Sequence, residues 1–90
     1  MRQWDVDSVL KRLKRIEGQI RGISKMIEDE KSCDEILIQI GSAKAALHKT
    51  GQVVLEGHLH GCIVDGIREG REEETLKKLS SAIEQFSRIV

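Results

Sequence analysis

The sequence has no proline and no tyrosine, one tryptophan, one phenylalanine and two cysteines, and its 15 lysines and arginines balance 15 aspartates and glutamates over 90 residues. With no proline, nothing in the chain forces a helix to stop. Aromatic residues make up 2% of the chain, as Trp4 and Phe86, against 39% hydrophobic residues, so any core is built from aliphatic side chains. No stretch alternates apolar and polar residues, so no strand is indicated and helix is the only supported element. No apolar run approaches the ~18 residues needed to span a bilayer. The stretch Met1-Arg2-Gln3-Trp4-Asp5 also lacks the apolar core of a signal peptide. The expected location is therefore cytoplasmic, with no membrane partner. In a reducing compartment, two cysteines point to metal or redox chemistry rather than to a structural disulfide.

What the chain does contain is helical periodicity. Val6, Val9, Leu13, Ile16, Ile20, Ile23 and Ile27 repeat at alternating steps of three and four, a heptad seam that predicts a first helix over 5–29, capped by Asp5 or Asp7. Ser32, with Glu35 three residues on, forms the N-cap pattern of a second helix over 32–66. Ile36, Ile40, Ala43, Leu47 and Val54 are expected to face the first helix. The joint from Gly66 to Gly70 and the acidic run Glu72-Glu73-Glu74 introduce a third helix over 72–89, striped by Leu76, Leu79, Ile83, Phe86 and Ile89 or Val90. The expectation is a single all-α domain over 1–90. A hairpin this small has little core of its own, and two hairpins paired make an antiparallel four-helix bundle.

Cys33, His58 and Cys62 are the candidate metal ligands. His58 and Cys62 are i and i+4 and so share a helix face. The 25 positions from Cys33 to His58 span roughly 37 Å on a continuous helix, too far for one ion or an intrachain disulfide. Two such helices lying antiparallel would bring Cys33 of one chain to His58 and Cys62 of the other, making the site a subunit interface. Cys33 falls in the first turn, where the positive helix end favours thiolate. Thiolate and imidazole suit Cu(I), Zn(II) or Ni(II), and two thiolates in a low-coordinate site tilt the choice to Cu(I). His60 lies about 200° around the helix from His58 and faces away. His48, beside Lys44 and Lys49, reads as a surface residue.

Net charge is zero, but between Lys11 and Lys25 six cations face one anion, Glu17. Such a local basic surface can meet phosphate in a neutral chain. No phosphate loop, nucleophile elbow or H-E-x-x-H motif is present, which argues against an enzyme.

The run from Leu10 to Ile23 (LKRLKRIEGQIRGI), the segment from Met26 to Cys33, the stretches Ile38-Gln39-Ile40 and Ala43–Leu47, and His58-Leu59-His60-Gly61-Cys62 closely resemble the CsoR/RcnR family of bacterial metal-sensing repressors. The resemblance covers nearly the whole chain. It implies a three-helix protomer, a four-helix-bundle dimer and a dimer-of-dimers tetramer that binds operator DNA. It also implies one Cu(I) per protomer, held at the dimer interface by Cys33 of one protomer with His58 and Cys62 of the other. Metal-bound repressor releases DNA, and copper efflux genes are transcribed. The phosphate-facing residues are then Lys11, Arg12, Lys14, Arg15 and Arg21, with Lys44 and Lys49. The copper branch carries a Tyr before its first Cys and a Glu in the third helix; here Ser32 and either Glu74 or Lys78 stand near those places. The nickel/cobalt branch has an early His and a His in place of Cys62, neither present here. A persulfide-sensing branch uses the two cysteines without the His, and the presence of His58 favours copper over it. A helical interaction module that binds no DNA is the bland alternative.

Overall fold

The computed structural model describes residues 4–58, 61 and 64–87. Those residues form four helices: α1 (Val6–Glu28), α2 (Cys33–His58), α3 (Val64–Arg68) and α4 (Glu72–Ser87). Two compact units are distinguished, one over Asp5–Val53 and the other over the described residues from Val54 onward together with Trp4. No helix among the described residues is long and apolar enough to cross a membrane.

α1 starts where Asp5 accepts the backbone N–H of Asp7 on its side chain (3.1 Å), which selects Asp5 over Asp7 as the cap. Half-buried Trp4 immediately precedes it. At its other end the Glu30 N–H donates to the Ile27 carbonyl (3.1 Å) and the Lys31 N–H to the Met26 carbonyl (3.0 Å), the paired bonds of a Schellman motif. This motif needs a left-handed residue after the cap. Glycine usually fills that place, but here Glu30 does, at φ 55°. Two residues later Ser32 Oγ accepts the Glu35 N–H (3.2 Å), starting α2 at the expected cap.

The Asp5–Val53 unit is an antiparallel hairpin. Gln19 near the middle of α1 donates to Ser42 of α2 (3.3 Å), while Arg12 and Ile16, earlier in α1, border the same cleft as Ala46, Lys49 and Thr50, later in α2. Its buried residues are Val9, Ile16, Ala43 and Thr50. Thr50 satisfies its hydroxyl by donating to the Ala46 carbonyl (2.9 Å).

The α2 face expected to meet α1 is displaced around the helix. Ala43 is buried as expected, but Ile40 is 43% and Leu47 53% exposed. Ala43, half-buried Ala46 and Thr50 occupy the inward side instead. The inward side thus carries small side chains, and the larger ones are left on the outer side. The first-helix seam divides similarly: Val9 and Ile16 are buried, while Ile20 and Ile27 are exposed.

Of the expected second helix, 32–66, residues 59, 60, 62 and 63 lie outside the described ones. α2 is described to His58, α3 begins at Val64, and buried Gly61 between them lies in a π-helical turn. Four described helices therefore replace the three expected, in a region rich in glycine. α3 ends in a second Schellman motif: Gly70 (φ 77°) donates to the Ile67 carbonyl and Arg71 to that of Gly66. α3 packs directly on α4, because a side chain at Gly66 would press into that of Thr75, its Cβ only 3.1 Å from Thr75 Cγ2. On α4, Leu79 and Phe86 are half-buried, whereas Leu76 and Ile83 are exposed; Ile89 and Val90 lie outside the described residues. An ion pair between Arg71 and Glu69 spans the turn before α4, and Lys78 Nζ lies 3.0 Å from Glu74 Oε1 one helical turn along it.

Three substitutions test these elements. Glu30→Gly should relieve the left-handed glutamate and stabilise the protein by about 1 kcal/mol, read as a higher urea midpoint. Gly66→Ala should lower the midpoint, because its added methyl meets the side chain of Thr75. The Lys78 ammonium, first by hydrogen bonding and then by charge, holds the Glu74 carboxyl below the usual range; a slight loss of hydration opposes this and Arg71 adds a smaller attraction. A depressed carboxylate contributes above the ordinary glutamate pKa, and that contribution fades as pH falls through the lowered value. Lys78→Met should move the Glu74 titration upward toward the ordinary range, measured by carboxyl carbon NMR.

Candidate metal centre and nucleic-acid interface

Cys33 and His58 are the first and last residues of α2. The Cys33 thiol is exposed, placed one residue after the Ser32 cap by the tight joint that ends α1. His58 is half-buried at the other end. One helix thus carries a sulfur donor at its start and an imidazole donor at its end, and its regular rise keeps the two from closing on a single ion. Cys62, the third expected ligand, and His60 lie outside the described residues. Among the described residues, no three His, Cys, Asp or Glu side chains cluster closely enough to hold an ion.

The outer side of α2 links the two donors in sequence. Cys33, Leu37, Ile40, Lys44 and Leu47 follow steps of four and three, the spacing of one helical stripe, and the same steps continue through Gly51 and Val54 to His58. Leu37 is 63% exposed and shares that outer surface with Ile40 and Leu47. Sequence reading missed this stripe because it assigned Ile40 and Leu47 to the α1 contact. The three- and four-residue spacing from Cys33 was the signal that would have found it. A soft thiol and imidazole set fits Cu(I) better than a hard cation.

Of the residues standing near the places of the copper branch's Tyr and Glu, Ser32 uses its hydroxyl as the α2 cap, and Glu74 is engaged by Lys78 on its own helix. Both therefore have a local structural partner.

The cationic residues fall into distinct groups. Arg12 and Arg15 from α1 and Lys49 from α2 converge on a cleft of about 110 Å³ floored by Ile16, Ala46 and Thr50. No acidic side chain lines that cleft. A wider, polar concavity bounded by Asp5, Asp7, Ser8, Lys11, Arg12 and Arg15 adjoins it at the start of α1. Lys14 and Arg21 are exposed elsewhere on α1. Lys44 stands apart from Lys49, about 140° around α2 and among the exposed leucines and isoleucine of the outer stripe. His48 is exposed, as expected.

The chain as a whole is similar to known proteins. A family model described as metal-sensitive transcriptional repressor matches residues 5–85. The copper-sensing transcriptional repressor CsoR of Bacillus subtilis is 39% identical over 82 residues, 91% of this chain and 81% of that protein. The copper-sensing repressor RicR of Mycobacterium tuberculosis is 38% identical over 84 residues, covering 91% of this chain and 88% of its own. Among solved structures, CsoR with Cu(I) from Geobacillus thermodenitrificans superposes with a TM-score of 0.88 at 46% identity, covering 92% of this chain and 86% of that one. The nickel-responsive transcriptional regulator InrS superposes with a TM-score of 0.83 at 34% identity, covering 96% and 97%. A match across nearly the whole sequence, together with paired helices of the same shape, places this chain in the family of metal-sensitive transcriptional repressors, whose members regulate genes and are not enzymes.

Proposed function

We propose that the protein is a Cu(I)-responsive transcriptional repressor that binds operator DNA without metal and releases it when Cu(I) is taken up, derepressing copper efflux genes. The observation that carries this reading is the placement of Cys33 and His58 at opposite ends of one helix whose outer stripe is exposed and apolar. Two copies of α2 packed antiparallel along Leu37, Ile40 and Leu47 bury that stripe and complete an antiparallel four-helix-bundle dimer. Each interface side chain contributes roughly 1.5–3 kcal/mol on full burial. The same pairing sets Cys33 of one protomer beside the partner's His58 and the partner's Cys62. The site therefore holds one Cu(I) per protomer, and two such dimers form the tetramer. The bound ion supplies a soft, low-coordinate bridge between subunits.

Arg12, Arg15 and Lys49 receive DNA phosphates in their shared cleft, and Lys11, Lys14 and Arg21 extend the contact along α1. Lys44, on the dimer stripe, leaves this set. Repression and metal uptake are linked: the loss of DNA affinity on metal binding equals the loss of metal affinity on DNA binding. The copper-sensing relatives support the choice of ion. The exposed Cys33 thiol motivates a second reading in which Cys33 and Cys62 sense persulfide without the imidazole.

Anaerobic titration of reduced protein with Cu(I) against a competing chelator, combined with binding to a duplex from the promoter of its own gene, separates the readings. Copper sensing expects one tight ion per protomer, lost in Cys33→Ala, His58→Ala and Cys62→Ala, and weaker DNA binding when the ion is present. Unchanged DNA affinity with Cu(I) rejects derepression by copper. A His58→Ala variant that still responds to persulfide favours the thiol sensor, and absence of specific promoter binding leaves only an interaction module. Arg12→Ala and Lys49→Ala should each weaken promoter binding and make the slope of log affinity against log salt shallower by about 1.

A further inference from the structure

α1 carries a cationic surface that reaches beyond the cleft and shares only Arg15 with it. Taking about 100° per residue and Gly18 as the centre, Lys11, Lys14, Arg15, Arg21, Gly22 and Lys25 all fall within about 60° of it. Buried Val9 and Ile16 lie on the opposite side, so this strip points away from the hairpin core. Its only acidic residues are at the ends, Asp7 in the first turn and Asp29 beyond the last, the latter paired with Lys25 (3.5 Å). Arg12 is about 120° away and belongs to the cleft.

Gly18 and Gly22 occupy the middle of the strip, where each costs the helix about 1 kcal/mol relative to alanine. Packing within the chain does not require either of them. A Cβ on Gly22 would meet nothing within 4 Å, and one on Gly18 would meet only Arg21 Nη2 at an ordinary 3.8 Å. The chain thus gives up helix stability on a cationic face without an internal steric reason. Bare main chain flanked by lysine and arginine permits closer approach by an anionic rod than a helix covered by side chains. A second copy of α1 would bring like charges together, whereas duplex DNA is complementary.

We propose that this outer strip of α1, which meets the Arg12–Arg15–Lys49 cleft at Arg15, carries a phosphate track on which a DNA backbone packs against the main chain at Gly18 and Gly22, between Lys14 and Arg21 on one side and Lys11 and Arg15 on the other. It rests on the operator-binding reading above.

The test compares Gly18→Ala and Gly22→Ala, singly and together, with Ser24→Ala, which lies off the strip, in the full-length protein. The glycine variants should keep or raise the urea midpoint, retain their helix content and Cu(I) uptake, and bind the promoter duplex about tenfold more weakly in the double variant, with Ser24→Ala unchanged. Wild-type-like promoter affinity in the double variant overturns the proposal while leaving the repressor reading standing. Loss of helix content overturns it by assigning the glycines to the fold, and an altered sedimentation coefficient overturns it by assigning them to contact between copies. If the wild-type protein shows no salt-dependent binding to the duplex, the repressor reading and the proposal fail together.

Discussion

The burial of small side chains on the inward side of α2 is the constraint on which the rest of the hairpin depends. Ala43, Ala46 and Thr50 leave room for Val9 and Ile16 but bury little area of their own. Larger aliphatic residues that would have made a bigger core, among them Ile20, Leu37, Ile40 and Leu47, are consequently displaced to the other side. A lone hairpin with so much apolar surface in water is marginal. Self-association and folding are therefore expected to draw on the same residues. A metal site divided between the ends of such a helix would be assembled by the contact that completes the core.

The helices were legible in the sequence because their signals are local. The three-and-four spacing from Val6 to Ile27, the Asp5 cap and the Ser32 cap all act within a few residues, and the structure places them where the spacing puts them. The direction of the α2 face was not legible. Ile40 and Leu47 satisfy a helical period equally well whether they meet α1 or solvent, and the period itself does not decide between the two. Glu30 was missed because a left-handed residue is normally foreseen from glycine or asparagine, and here the hydrogen bonds of the motif impose that conformation on a glutamate.

The candidate site was legible in chemical type and less so in arrangement. Cys33 and His58 were singled out by residue type and helix length, and the structure sets them at the two ends of α2. The cationic residues were identified as a set, but composition does not distinguish the Arg12–Arg15–Lys49 cleft from the outer strip or detach Lys44 from both. The chain belongs to a metal-sensitive repressor family, with copper-sensing relatives and a nickel-responsive regulator of similar structure. On the proposed reading, one helical framework would keep its cations for DNA while the donor atoms at the ends of α2 would set the choice of metal.

The scarcity of aromatic residues has an optical consequence. With no tyrosine and a single tryptophan, ultraviolet-excited emission comes from Trp4, whose half-buried indole precedes the Asp5 cap of α1. The intrinsic fluorescence is thus a one-site signal that reports on the surroundings of Trp4, free of background from any other strongly emitting side chain.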